Sequence, residues 1–544
     1  MLTELQPGAS PAAQLQSGEM PPSRSSDSVP QLSFQTEMGR VSRQSGIAFA
    51  GIIFTAILGY VFKVYLARVL GAENLGLYAL GMTLVGFFGI VNGLGLPDAA
   101  MRFVAQYTAA GKFDALRALL WRGAPILLVS NLVFCAVLLI AGRWIAAQVY
   151  HAPQLIPYLP LFAAIMIAGV LDSFFGKVLA GYKEVGRRTL FTRFISSPLT
   201  MLLTVLLIML GGGLWGYLAA QILSALVVLG LLISMVWRLT PQAARLLNVR
   251  RIPLQKEVWS FSVAMLGVGM MEFLMSQTDR VALGFFRGAH EVGIYSVAAA
   301  VVAYETILLQ SVNQIFAPMI ADLHARGENI LLGRMFQTLT KWMLGLTCPL
   351  AIVILVFAQP IMHIFGRDFT SGWPVLVVGT CGQLVNCGVG SVGYILLMSG
   401  NQNRLVQVQV VMALVMVGLC LWLVPLWGTW GAALAAAITN AASNLWMLFK
   451  VKSALRISPY NLSYLKLLPP VLLAFLSVFA MKLFPLRSES VRIISALMLS
   501  YGIFCGAAFL MGLDADDHLI ADAVWIRLRG AFGPLMLDHK AGQK

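Results

Sequence analysis

Nine ionisable residues fall inside strongly apolar stretches of the sequence: Lys63, Asp172, Arg193, Glu272, Asp279, Arg280, Glu305, Lys482 and Arg492. Charged groups at such depths are costly and face a protein interior or a water-filled cavity. Arg193, Lys482 and Arg492 lie within a turn of the ends of their stretches, where a long side chain reaches the interface. The others need a different account. An offset of 217 residues superposes Thr55, Gly59 and Lys63 on Glu272, Ser276 and Arg280. Both sets run i, i+4, i+8, and residues four apart share a helix face. Each stretch therefore carries a polar or small stripe that ends in a cation. Facing each other across a cavity, Lys63 and Arg280 would attract an anion, because ammonium and guanidinium groups pair well with phosphate. In the structural alternative, Asp279 and Arg280 neutralise one another while Lys63 reaches outward to the interface.

Glu272 and Glu305 lie about 12 and 11 residues into their stretches, too deep to reach water easily at 1.5 Å per residue. A carboxylate there either fixes packing through hydrogen bonds or a salt bridge, or titrates as its surroundings change and so couples movement to a proton gradient. Asp279 and Asp172 join them as candidates for coupling or switching. Other chemistry is missing. There is no GxxxxGK[ST] phosphate loop, no HExxH and no metal-spaced Cys/His cluster. The six histidines are scattered, and the six cysteines sit in apolar runs as packing residues. No connection on the outer face exceeds about a dozen residues on these boundaries, so a catalytic domain has no place there. The sequence thus points away from an enzyme, a metal or a cofactor, and leaves proton or sodium coupling open.

The elements that must position these residues follow from composition. Hydrophobic residues make up 59% and charged residues 11%, against roughly 45–50% and 25% in soluble chains. This excludes a soluble globule. The net charge of +15 would suggest nucleic acid in a soluble chain, but here it belongs to loops. Apolar stretches bounded by charge, Pro or Gly predict fourteen spans: 46–67, 75–96, 124–142, 155–176, 190–210, 214–236, 260–286, 294–320, 342–365, 374–398, 405–427, 430–449, 467–485 and 492–512. Residues 1–45, rich in Ser, Pro and Gln, read as a disordered tail with no cleavable signal.

Cytoplasmic connections collect Lys and Arg. Even-numbered connections hold twenty-one, among them Arg102, Lys177, Arg188 and Arg251, while odd-numbered ones hold only Arg68, Arg143, Arg287, Arg367 and Arg487. The asymmetry predicts two cytoplasmic termini and a multi-pass protein of the cell's inner membrane. A repeat then sets the architecture. Gly71-Ala72-x-x-x-Gly76-Leu77-Tyr78 recurs as Gly288-Ala289-x-x-x-Gly293-Ile294-Tyr295, Ala105–Gly111 matches Ala321–Gly327, and Trp215-Gly216 matches Trp430-Gly431, at offsets of 217, 216 and 215. The prediction is an all-α polytopic membrane protein: a disordered cytoplasmic tail (1–45), a six-helix lobe (46–237), a basic cytoplasmic linker (238–259), a second, pseudo-symmetric six-helix lobe (260–450), two further transmembrane helices (451–512) and a cytoplasmic tail (513–544). Parallel repeats of this kind suggest a transporter that rocks one lobe against the other.

Three segments carry a family resemblance: Leu66-Ala67-Arg68-Val69-Leu70-Gly71-Ala72-Glu73-Asn74-Leu75-Gly76-Leu77-Tyr78, Asp279-Arg280 with Leu283-Gly284-Phe285, and Glu291-Val292-Gly293-Ile294-Tyr295. From about 46 to 512 the chain resembles the polysaccharide and oligosaccharide-lipid flippases, O-antigen flippases included, of the multidrug/oligosaccharidyl-lipid/polysaccharide exporter superfamily. The resemblance implies two six-helix lobes plus two terminal helices, a cationic central cavity, and movement of a polyprenyl diphosphate-linked sugar to the outer leaflet by alternating access. It also implies lipid-linked glycan, membrane lipid, a glycan polymerase and glycosyltransferases as partners, and no nucleic acid. Two alternatives stand beside it: a cation-coupled multidrug antiporter of the same superfamily, expected to show twelve spans and an acidic cavity, and a non-transporting scaffold of a glycan-synthesis complex.

Overall fold

The computed structural model describes residues 28–245, 254–483 and 488–511, with side chains from residue 56 onward except at 57, 308, 314 and 315. The chain divides into two compact units, Met1–Gly46 and Ile47–Lys544. Every regular element among the described residues is a helix, as lipid requires, since only an intact helix or a closed barrel satisfies its own backbone away from water. The expected tail (1–45) lies partly outside the described residues. Its remainder is helical, within a helix running Ser28–Gly93. The C-terminal tail (513–544) and residues 246–253 of the linker also lie outside them.

We number the elements that build the second unit α1 (Leu58–Gly93), α2 (Leu96–Ala109), α3 (Phe113–Trp144), α4 (Leu159–Gly181), α5 (Ser196–Met209), α6 (Gly213–Leu239), α7 (Lys256–Arg287), α8 (Ala289–Ala303), α9 (Ile307–Ala325), α10 (Asn329–Val356), α11 (Ala358–Phe365), α12 (Trp373–Val389), α13 (Val392–Met398), α14 (Gln402–Trp427), α15 (Thr429–Leu455), α16 (Leu468–Leu483) and α17 (Glu489–Leu510). Twelve helices among the described residues are long and apolar enough to cross a membrane, or thirteen when the bent pair Ala289–Thr306 and Leu309–Ala325 counts as one span. The expectation was fourteen. The difference begins in α1, which runs through both of the first two expected spans with a kink at Gly71.

Gly71 (φ 76°, ψ 174°) and Gly288 (φ 85°, ψ −179°) adopt the same backbone conformation at equivalent repeat positions. Only glycine adopts it without strain. Five residues on, the repeat brings its two copies together. A methyl group added at Gly76 would overlap the Ala289 carbonyl and lie 3.1 Å from the Gly293 nitrogen; one at Gly293 would overlap the Ala72 carbonyl and lie 3.0 Å from the Gly76 nitrogen. Helices approach this closely only where small residues face each other. Nearby, the Arg68 Nε donates to the Ile364 carbonyl at 2.8 Å, and Tyr60 packs on Tyr304 and Phe365 with ring centroids 5.8 and 5.7 Å away.

Packing differs between the two ends of the spans. At the Gly71/Gly288 end one continuous apolar core takes in Leu80, Phe162 and Leu218 together with Leu283, Val297, Phe357 and Val424. Toward the opposite end the core divides, one part around Phe103, Phe174 and Leu232, another around Phe316, Phe336 and Ile395. Contact across the sequence halves narrows there to the start of α7: Gly95 lies against the Ser262 carbonyl, Arg102 stacks 4.6 Å from the Phe261 ring centre, and the Tyr107 hydroxyl donates to Gln255 Oε1 at 2.7 Å. Burial, and next the Glu257 charge, push the Tyr107 hydroxyl above its ordinary range, so it donates as a neutral phenol. The last two helices pair with each other and lie on α10, where Tyr501 donates to the Leu346 carbonyl at 2.9 Å and Ser500 to that of Pro349 at 3.2 Å.

Candidate functional site

Lys63 on α1 stands eight residues before Gly71, and Arg280 on α7 eight before Gly288, about 12 Å of helix at 1.5 Å per residue. Both side chains are half-buried. The Arg280 charge acts directly on the Lys63 ammonium. Arg280 Nη1 donates to Gln277 Oε1 at 2.6 Å and lies 3.5 Å from the Ser276 carbonyl. Among the described residues, no carboxylate is within ion-pair distance of either cation. Two like charges from separate halves of the sequence thus act on each other, and among the described residues neither forms an ion pair.

Asp279 does not neutralise Arg280. Its Oδ2 accepts the Tyr295 hydroxyl at 2.6 Å, and its Oδ1 accepts the Arg280 backbone N–H at 2.8 Å. The carboxylate is turned into α7–α8 packing and borders an open cavity of about 260 Å³ lined by residues of the second half, whose polar lining also includes Tyr295, Gln383, Thr439 and Asn440. Sequence reasoning missed this cavity. Its signals were the tyrosine that closes the repeat and the Thr439-Asn440 pair inside an alanine-rich run.

Glu305 is 1% exposed and occupies a 3₁₀ turn, Tyr304–Thr306, between α8 and α9. Thr380 Oγ1 donates to its Oε1 at 2.6 Å, while its Oε2 is buried without a protein partner. Ala303 and Gly379, close in sequence to Glu305 and Thr380, line the cavity, but Glu305 and Thr380 themselves do not, and Asp279 is the carboxylate in its lining. Neither makes the salt bridge to Arg280 or Lys63 that sequence reasoning allowed. Glu272 is exposed. Its neighbour Phe273 packs on Phe87 with centroids 5.7 Å apart, which sets Glu272 beside the contact between α1 and α7. Asp172, in α4, has a buried Oδ1 without a partner and feels the charge of Arg188; no described interaction joins it to the others. Lys177 pairs with Asp98 at 2.5 Å. The Thr55 side chain lies outside the described residues.

Comparison with known proteins bears on this arrangement. A family model described as "Polysaccharide biosynthesis protein" matches residues 41–324, just over half of the chain. The succinoglycan biosynthesis transport protein ExoT of Rhizobium meliloti (strain 1021) is 27% identical over 304 residues, which cover 54% of this chain and 56% of that relative. The chain thus matches only about half the length of that relative. Among solved structures, the lipid II flippase MurJ in an inward closed conformation superposes with a TM-score of 0.69 at 13% identity, over 85% of this chain and 98% of MurJ. An inward-facing multidrug resistance MATE family transporter of the MOP superfamily superposes with a TM-score of 0.58 at 17% identity, over 76% of this chain and 99% of the transporter. At these identities the two structures bear on the fold alone.

Proposed function

The chain belongs to the polysaccharide biosynthesis protein family, and from that premise we propose that it is a flippase. Its substrate is a polyprenyl diphosphate-linked oligosaccharide, an O-antigen, exopolysaccharide or related repeat unit, carried from the cytoplasmic to the outer leaflet by alternating access. The observation that carries this reading is the Lys63–Arg280 pair: two cations from different halves, acting on each other, with no carboxylate in reach among the described residues. Like charges held together in a span are costly unless an anion or water compensates. A diphosphate supplies that compensation. The prenyl tail can stay in lipid while the anionic, hydroxyl-rich head, which cannot shed its water unaided, crosses between the halves.

Sidedness follows from the loop charges. The Gly71/Gly288 end faces outward and both termini are cytoplasmic, in the inner membrane. The protein is a transporter and not an enzyme, and it works beside the glycosyltransferases and the polymerase that make and consume its substrate. Asp279, at the cavity of the second half, and Glu305, Glu272 and Asp172 are the groups through which a proton or sodium ion would couple or switch the cycle. Purified protein in liposomes tests the reading. A flippase moves a labelled lipid-linked sugar, an antiporter moves a dye against a proton or sodium gradient, and a scaffold moves neither.

A further inference from the structure

We propose that the repeated Gly-Ala-x-x-x-Gly segments form a reciprocal latch that closes the outer end of the transport path, with Gly76 and Gly293 each docking against the backbone of the other half so that closure needs no interlocking side chains. The contact is mutual. Gly76 meets Ala289 and Gly293, while Gly293 meets Ala72 and Gly76, so the two copies of one motif bind each other about their own pseudo-twofold relation.

Three further observations belong to the latch. Gly71 and Gly288, in the conformation that only glycine takes easily, start both segments at equivalent angles. The closing tyrosine of each motif is tied within its own half, Tyr295 to Asp279 and Tyr78 to Gln221, whose Nε2 donates to the Tyr78 hydroxyl at 2.9 Å. The apolar core at this end joins many helices of both halves, whereas at the other end α7 enters the first half's core only through its start, at Val258 and Phe261. Backbone against glycine gives close packing, yet it separates without withdrawing one side chain from between others. A seal that must open once per cycle needs both properties. Oppositely, a methyl at either glycine overlaps a carbonyl of the partner helix, and a backbone carbonyl cannot move aside as a flexible side chain can. Gly89 provides a contrast in the same helix, since nothing lies within 4 Å of a methyl placed there.

The latch rests on the alternating-access reading, but its test does not depend on transport. In a variant lacking the six native cysteines, Val297→Cys puts a thiol one turn inside the seal, at a position 1% exposed. A membrane-impermeant maleimide applied from the outer side should label it slowly in the parent. With Gly76→Ala or Gly293→Ala added, labelling from that side should accelerate about tenfold or more, as overpacking shifts the population toward the open end. The double variant should add little, because either methyl alone prevents the same closure; Gly89→Ala should match the parent. Should the glycine variants fail to fold, Arg68→Ala removes the 2.8 Å bond to Ile364 across the same seal from an exposed rim position and should raise labelling likewise. Unchanged labelling in the folded glycine variants, or in Arg68→Ala where they do not fold, would overturn the latch. Failure of the parent to move a lipid-linked sugar in liposomes would instead overturn the flippase reading and leave the latch standing.

Discussion

Replacing Tyr295 by Phe removes one hydroxyl and leaves a carboxylate short of a donor. Asp279 is 8% exposed and accepts the Tyr295 hydroxyl at 2.6 Å and the Arg280 amide at 2.8 Å. A hydrogen bond to a charged group contributes about 1.5–3 kcal/mol, and a buried acceptor left unpaired loses stability of similar size. The adjoining cavity of about 260 Å³ is large compared with the roughly 30 Å³ that a water molecule occupies in the liquid. Water can therefore replace the lost donor, and the lower end of the range applies: about 1.5 kcal/mol for Tyr295→Phe. In a chain of 544 residues that corresponds to a fall in thermal midpoint of about 1–2 °C, measured on detergent-purified protein by loss of the monodisperse peak. Asp279→Asn should fall less. Its amide oxygen still accepts the Arg280 N–H, and the Tyr295 hydroxyl can rotate to accept from the amide nitrogen. An unchanged midpoint in Tyr295→Phe, or a larger loss in Asp279→Asn, would refute the assignment of this bond as a stabilising anchor of α8 on α7.

Other expectations are as direct. Thr380→Val should destabilise by about 1–3 kcal/mol by stripping Glu305 of its protein donor, while Thr380→Ser stays near the parent; equal midpoints for Val and Ser would contradict it. Glu272→Gln and Glu305→Gln separate coupling from packing. If a proton gradient drives translocation in liposomes, at least one variant should lose that dependence, and a parent indifferent to the gradient removes the coupling role. Reporter fusions after residues 240 and 455 should both signal a cytoplasmic location, and an external signal from either would reverse the topology.

The legible parts of the fold were those that lipid enforces. Apolar runs long enough to span had to be helices, and loop charge ordered them. Pairing among the helices was far less legible, because a leucine facing lipid and one facing protein look alike in sequence. Leu80 and Val297, repeat equivalents that are both buried in the core shared by the two halves, carry no mark that separates them from exposed Leu202 or Leu414. The kink in α1 followed from Gly71 in principle, yet a glycine in an apolar run does not announce its φ. At the site, the 217-residue offset paired Lys63 with Arg280, two residues whose charges act on one another. The fate of Asp279 was hidden, since its partner Tyr295 lies on the next helix and only tertiary packing makes it a donor. Glu305 was recognisable by depth, whereas Thr380, 75 residues away, was not.

The central claim is that Lys63 and Arg280 hold the diphosphate head during passage. Its most direct test is the translocation rate of a fluorescent polyprenyl diphosphate-linked sugar in proteoliposomes, for the parent, Lys63→Ala, Arg280→Ala and Arg280→Lys at matched protein levels. Losing one charged contact worth about 1.5–3 kcal/mol should slow either Ala variant by roughly 10- to 150-fold at sub-saturating substrate. Arg280→Lys should keep part of the rate, because an ammonium retains the charge but not the bidentate fork. Parent-like rates in both Ala variants would contradict the account.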